Sequence, residues 1–311
     1  MINKRFKLIL IAAILFIQTL LVPSIQAVES KKLNIVTSFY PMYAITKAIT
    51  GDLQDVRMIN SANGIHGYDP SGADISAIHD ADLFIYHSVT LESWTRNIKN
   101  NLKDSNVKLV EASRELDMDK VEGLENLPSI AGKDEATLYD PHTWLDPLEA
   151  AEEAKYIATS LSEVDPAHAD IYQNNAKEFE ERAQKMVDKY TPIFSSLKQK
   201  TFVTQHTAFY YLSKRFGLTQ LGISGISSEI EPTAKKISEI QEFVKKYHVK
   251  TIFVEPNVNT HSAEIISKAT GAKIKCLSPL ESDPHNNKSF LDNLEENLEI
   301  LSQSLKEEGE S

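Results

Sequence analysis

A chain of 311 residues carries 44 acidic and 33 basic side chains, a formal charge of −11. That acidity disfavours nucleic acid as a partner and enriches cations near the surface. Its single cysteine, Cys276, excludes an intrachain disulfide, and the length allows one large domain or two modest ones.

In chain order, residues 1–27 read as a signal peptide. Lys4, Arg5 and Lys7 precede an apolar run, and Pro23 and small residues lead to a cleavage site after Ala27. A retained anchor is the weaker reading, because residues 8–22 are short for a bilayer span. The leader has no cysteine of the lipobox kind, so the mature protein is expected to be exported, either secreted or held at the cell surface.

Short apolar runs then alternate with segments of helical period. LNIVTS reads as a strand, followed by a helix from Pro41 to Gly51. VRMIN, a helix from Pro70, LFIYHS, a helix around ESWTRNIKNNL and VKLVEAS continue the series. Asp146 as N-cap and Pro147 at the first helical position start another helix. The second half repeats the scheme with TFVTQ, a helix ending at Gly217, TQLGIS, a helix from Ala234, KTIFVEP, a helix near SAEIISKAT, KIKCLS and a last amphipathic helix. Cys276, inside KIKCLS, is expected to be a small buried hydrophobe. Such alternation predicts an α/β fold of parallel sheets flanked by helices.

The halves also match each other. DPSGADISAI at 69–78 aligns without gaps to EPTAKKISEI at 231–240, and each precedes an apolar strand. Two similar lobes are therefore expected, 28–164 and 200–311, joined by one long helix over 165–199. That linker is polar apart from the stripe Ile171, Phe179, Met186 and Tyr190, and thirty-odd helical residues would span about 45–50 Å. A rigid bridge between lobes fits that length better than a cover for one.

Open parallel sheets bind ligands beyond the carboxyl ends of their strands. His66, in NGIHGYDPS, follows a strand, and its flanking glycines let backbone approach closely. His142 lies on the loop after the last strand of the first lobe, stiffened by the two Asp-Pro pairs of LYDPHTWLDP. His206 ends TFVTQ, and Glu281 follows KIKCLSP. Two residues from each lobe thus face the crevice between them. Three imidazoles and a carboxylate suit zinc, whereas manganese favours more oxygen. Spacing alone leaves the carboxylate open, since Glu255 and Asp283 also follow strands. His87, ending a strand in FIYHS, is a candidate to support a ligand; His79, His168, His248, His261 and His285 read as surface or capping residues.

TSFYPMYAITK, GIHGYDPS, DPHTWLDP, TFVTQHTAFYYLSKRFGL, GISGISSEIEPT and LSPLE, in this order, resemble the zinc-specific solute-binding proteins of bacterial ABC importers. The likeness extends to the streptococcal laminin-binding and zinc-uptake lipoproteins and covers about residues 33–305. It implies metal ligation by His66, His142, His206 and Glu281, with Zn2+ as the transported ligand and a membrane permease with its ATPase as partners. It also implies a monomer, and it raises laminin as a further partner. Manganese members carry a carboxylate at the position of His206, so the resemblance also favours zinc. The alternatives are a manganese importer component, a laminin adhesin, and a zinc hydrolase with Glu281 as general base. No H-E-x-x-H pair supports the hydrolase. The segment DKVEGLENLPSIAGKDEATLYD has acids but no histidine, so a metal-collecting loop is not expected there.

Overall fold

The computed structural model describes residues 31–59, 64–120, 139–225 and 232–310. The segment read as a signal peptide and most of the acidic segment before Tyr139 lie outside them. Among the described residues no helix is long and apolar enough to cross a membrane.

Among the described residues, eight four-residue strands form two parallel sheets with the same order. In the first, β1 (Asn34–Thr37), β2 (Asp55–Met58), β3 (Leu83–Tyr86) and β4 (Lys108–Glu111) run in the order β2-β1-β3-β4. In the second, β5 (Thr201–Thr204), β6 (Thr219–Gly222), β7 (Thr251–Val254) and β8 (Lys273–Cys276) run in the order β6-β5-β7-β8. Central strands β3 and β7 are buried along their whole length, as parallel strands covered on both faces must be. Each sheet reverses its winding beside its first strand, between β1 and β3 and between β5 and β7, which is where such sheets open a crevice.

The helices of the first half are α1 (Tyr40–Thr50), α2 (Gly72–His79), the single turn α3 (Ile98–Asn101) and α4 (Pro147–Val164). The long α5 (Ala169–Ser196) follows, and then α6 (Tyr210–Phe216), α7 (Ala234–Lys246), α8 (His261–Thr270) and α9 (Phe290–Gly309). The internal repeat reflects helix initiation. Ser71 caps α2 and Thr233 caps α7, each accepting a bond from the backbone N–H three residues on. Asp146 caps α4 through Leu148 N, with Pro147 in the first turn. Gly217 ends α6 in the left-handed conformation, at φ 67°.

Helix α5 has 28 residues, about 42 Å, because its first turn is a separate 3-10 segment, Pro166–His168. Its buried stripe is Tyr172, Ala176, Phe179, Ala183, Met186, Tyr190 and Phe194. Ile171, assigned to that stripe from sequence, is instead 42% exposed, and the neighbouring Tyr172 takes the inward position. Cys276 also departs from expectation. It is exposed on edge strand β8, where only β7 covers one side.

Side chains of α5 join Ile45 of α1, Ile157 of α4, Leu212 of α6 and Leu298 of α9 in one apolar core. Two smaller clusters fill the outer face of each sheet. At the head of α5, Asp165 accepts from Gln54 Nε2 at 2.8 Å, His168 Nδ1 at 2.7 Å and the Tyr172 hydroxyl at 2.7 Å. Gln54 Oε1 in turn accepts from Leu33 N, tying the helix to the first sheet.

Burial pushes the Asp165 carboxyl up, but bonds from Tyr172, His168 and Gln54 outweigh it and hold the group below its usual value. A depressed carboxylate contributes stability that is complete above the unfolded value of about 3.9 and lost as pH falls through the folded one. Asp165→Ala should therefore cost about 2 kcal/mol at pH 7, because three donors lose their acceptor. Urea denaturation of both proteins should show that difference shrinking below about pH 4.

Candidate metal centre

His206 sits two residues beyond β5, at the switch point of the second sheet, and Glu255 directly follows the neighbouring strand β7. His206 Nδ1 donates to Glu255 Oε1, which leaves Nε2 as the free lone pair of the neutral ring. The His206 backbone is pinned as well. Its carbonyl accepts from the Thr204 hydroxyl at 2.7 Å and from Gln220 Nε2 at 3.0 Å.

His142 is fixed by the residues on either side of it. Asp140 Oδ1 accepts from His142 N at 2.9 Å and from His142 Nδ1 at 2.7 Å. The Asp-Pro-His sequence is thus an Asx turn whose carboxylate also selects the ring tautomer. Below the ring lies Trp144, with centroids 5.2 Å apart, and its indole N–H donates to Pro279 O at 2.8 Å. Through that bond the His142 loop touches the segment carrying Glu281. Leu280, just before Glu281, is buried and holds φ 56°, a left-handed conformation uncommon for a branched side chain.

The free nitrogens and one carboxylate oxygen converge. His66 Nε2 lies 3.2 Å from His142 Nε2, and Glu281 Oε1 lies 3.4 Å from each of them. His206 Nε2 is 3.2 Å from the same oxygen. One ligand atom from each of the four residues falls within 4.8 Å of the others. An ion bonded at 2.0–2.1 Å to four tetrahedral donors spaces them about 3.3–3.4 Å apart. Four of the six edges match that spacing closely. His142, His206 and Glu281 are buried, while His66 retains slight exposure, 11% of its side chain.

The other carboxylates considered from sequence do different work. Glu255 orients His206, and Asp283 caps a turn by accepting from His285 N. His87 is fully buried and lies one shell out. Its Nε2 donates to the Thr143 hydroxyl at 2.8 Å, and Thr143 donates on to Glu153. Asp140, Trp144 and Tyr211 were not singled out from sequence. For Asp140 a signal existed, since an Asp two residues before a histidine can hold that residue's N–H.

The charges of the cluster are mutually adjusted. Burial opposes ionisation of Glu281, but His66 and His206, with bonds from His142 and His206, hold it well below the usual carboxylate range. Burial opposes protonation of His206, yet Glu281 and Glu255 push it up to about 10. His142 is likewise raised, by Asp140 and Glu281 against burial.

A cation-sized cage of four donors where two parallel-sheet lobes meet defines a metal-binding protein of the solute-binding class. The chain belongs to the ZnuA family, described as the periplasmic zinc-uptake complex component A, whose model matches residues 35–304. That is a family of transport components and not of enzymes. The chain is 35% identical over 287 residues to the zinc-binding lipoprotein AdcA of Streptococcus pneumoniae (strain ATCC BAA-255 / R6), covering 89% of this chain and 57% of AdcA. It thus spans little more than half of that relative. A Zn(II)-bound variant of AdcAII from Streptococcus pneumoniae superposes with a TM-score of 0.83 at 56% identity, covering 89% of this chain and 99% of AdcAII. The laminin-binding protein Lmb of Streptococcus agalactiae, described as bifunctional with adhesin and metal-transporting activity, gives 0.81 at 54% identity, over 89% and 100% of the two chains.

Because His206 holds a proton up to about pH 10, a metal must displace it at neutral pH. The sign follows from the raised value. The protonated cluster stabilises the metal-free fold fully below about pH 6.5, and that contribution is lost as pH rises through about 10. Affinity for a divalent cation should climb across the same window, further than reference imidazoles would require. Calorimetric titration with zinc at pH 7.5, in buffers of different ionisation enthalpy, should show at least one proton released per ion; zero protons would contradict the arrangement. Glu255→Gln should weaken zinc binding about 10–100-fold in the same titration, because it removes the anion that orients His206.

Proposed function

We propose that this protein captures Zn2+ outside the cytoplasm and delivers it to the membrane permease of an ATP-driven importer. The observation that carries the reading is the convergence of His66, His142, His206 and Glu281 at the edge lengths of a tetrahedral zinc site. Two lobes, 28–164 and 200–311, supply two ligands each on either side of the 165–199 linker. Four protein donors complete the coordination sphere, leaving no position for a substrate or an activated water. The site is therefore built to hold an ion and not to catalyse hydrolysis.

Zinc is favoured over manganese by ligand type. Three imidazoles and one carboxylate match a borderline-soft tetrahedral ion, whereas manganese favours six oxygen-rich positions. Export is supported by the leader at 1–27, by the family's periplasmic description and by the lipoprotein name of AdcA. An adhesin role toward laminin rests on the likeness to Lmb alone and stays secondary.

Competition calorimetry on metal-free protein tests the assignment. Zinc should bind far more tightly than manganese, and His206→Asp should narrow the gap by hardening the site. Glu281→Ala should still bind zinc, more weakly, through three histidines and water, while Asp283→Ala stays within a few-fold of the parent. Comparable zinc and manganese affinities in the parent would overturn the reading.

A further inference from the structure

Helix α6 begins four residues after His206 and presents Tyr211, Lys214 and Arg215 on one face, at positions i, i+3 and i+4. All three reach across to the first lobe. The Tyr211 hydroxyl donates to Asp140 O at 2.9 Å and accepts from Asp119 N at 2.9 Å. Lys214 pairs with the Asp119 carboxylate. Arg215 Nε donates to both oxygens of Asp146, at 3.0 and 2.8 Å. The three points of contact bracket His142, four residues before Asp146 and two after Asp140.

These contacts differ in weight. Lys214 is 60% exposed, and a solvated pair of that kind contributes little. Arg215 is partly buried, and its partner Asp146 already serves as the N-cap of α4. Tyr211 is different, because its ring is 3% exposed and Asp140 is fully buried. One hydroxyl satisfies both the buried carbonyl of Asp140 and the half-buried N–H of Asp119, and loss of the former would leave a buried acceptor without a partner. The carbonyl belongs to the residue whose carboxylate grips His142 Nδ1 and N. Tyr211 therefore acts on the metal centre through Asp140, and it does so from the helix that His206 leads into.

On the zinc-site reading above, we infer that Tyr211 is a positioning residue. It holds the His142 half of the site at ligand distance from the His206 half, and so sets how long the ion is retained. The shared core along α5 sets the separation of the lobes, and because the two sheets have no strand in common, the finer placement of the ligand loops depends on cross-lobe bonds of this kind. Trp144 to Pro279 O supplies the corresponding tie to Glu281. Tyr211 requires nothing of the ion itself. Its effect should appear in geometry and retention, with all four ligands still present.

The test uses Tyr211→Phe, which keeps the ring and removes the oxygen. The control, Ser213→Ala on the same helix, removes a buried hydroxyl that has no hydrogen-bond partner among the described residues. Three readouts are compared with the parent protein. They are the zinc dissociation rate into excess chelator, the ligand-field absorption of the Co(II)-substituted site, which reports tetrahedral geometry, and the melting temperature of the metal-free chain. Tyr211→Phe should release zinc about tenfold faster and change the cobalt spectrum, the size expected from leaving one buried carbonyl, that of Asp140, without its donor. Ser213→Ala should change neither. If Tyr211→Phe lowers only the melting temperature and leaves release and spectrum at parental values, its role is structural and the inference is wrong. If the parent itself gives neither slow zinc release nor a tetrahedral cobalt spectrum, the zinc reading fails, and this inference falls with it.

Discussion

The shared apolar core along α5 is the constraint on which the rest of the molecule depends. Tyr172, Phe179, Met186 and Phe194 pack in one cluster with side chains from helices of both lobes. Burying each large side chain contributes about 1.5–3 kcal/mol. A hinge motion that exposed four or five of them would cost on the order of 10 kcal/mol, comparable to the whole stability of a typical domain. The lobes are consequently held at nearly one separation. The slight exposure of His66, against the full burial of His142, shows on which side the cage is thinnest.

On the zinc-binding reading proposed above, a site held at that separation has to tolerate losing its ion. Burying Glu281 beside the carboxyls of Asp140 and Glu255 without a counter-charge would be costly. The raised His206 supplies that counter-charge. A proton on imidazole offsets the carboxylates when the cage is empty, and a dication does so when it is filled. The two states differ by an exchange of cations, so the surrounding packing need not be rebuilt between them. The orienting carboxylates thus serve twice, fixing tautomers in the loaded site and holding the proton in the unloaded one.

How much of this was legible in the sequence depends on range. Strand–helix alternation, the caps at Ser71, Thr233 and Asp146, and the stop at Gly217 are local signals, and they marked out the architecture. His66, His142, His206 and Glu281 were reached by asking which chemically able residues follow strands, and the structure brings those four together. Spacing could not separate Glu281 from Glu255, because both leave a strand of the same sheet at the crevice edge. Which carboxylate joins the cluster of three histidines and which meets the back of one of them is a matter of a few ångströms in space. Ile171 and Cys276 were misjudged for related reasons. A one-residue shift rotates a helical stripe by about 100°, and an apolar strand does not announce that it lies at a sheet edge. Tyr211 was invisible, since nothing local to α6 refers to Asp140.

The duplicated lobes show how one scaffold was put to two uses. Strand ends correspond through the pairing register: Thr37 sits beside Ile85 as Thr204 sits beside Phe253. Two residues further along, Phe39 of the first lobe therefore takes the place of His206 of the second, and His87 takes the place of Glu255. In lobe two that adjacent pair is the proposed ligand His206 and the carboxylate that orients it, joined by a hydrogen bond. In lobe one it is an edge-on aromatic pair, Phe39 on His87, with ring centroids 6.4 Å apart. Trp144 stands edge-on to both, at 5.1 Å from each, and His142 rests on Trp144. The first lobe thus turned its switch point into a platform and brought its ligand in on the Asp-Pro-His loop above it. The second kept the ligand on the strand end itself. A platform-borne histidine from one lobe, His142, thus meets a strand-borne one from the other, His206, with ring centroids 5.3 Å apart.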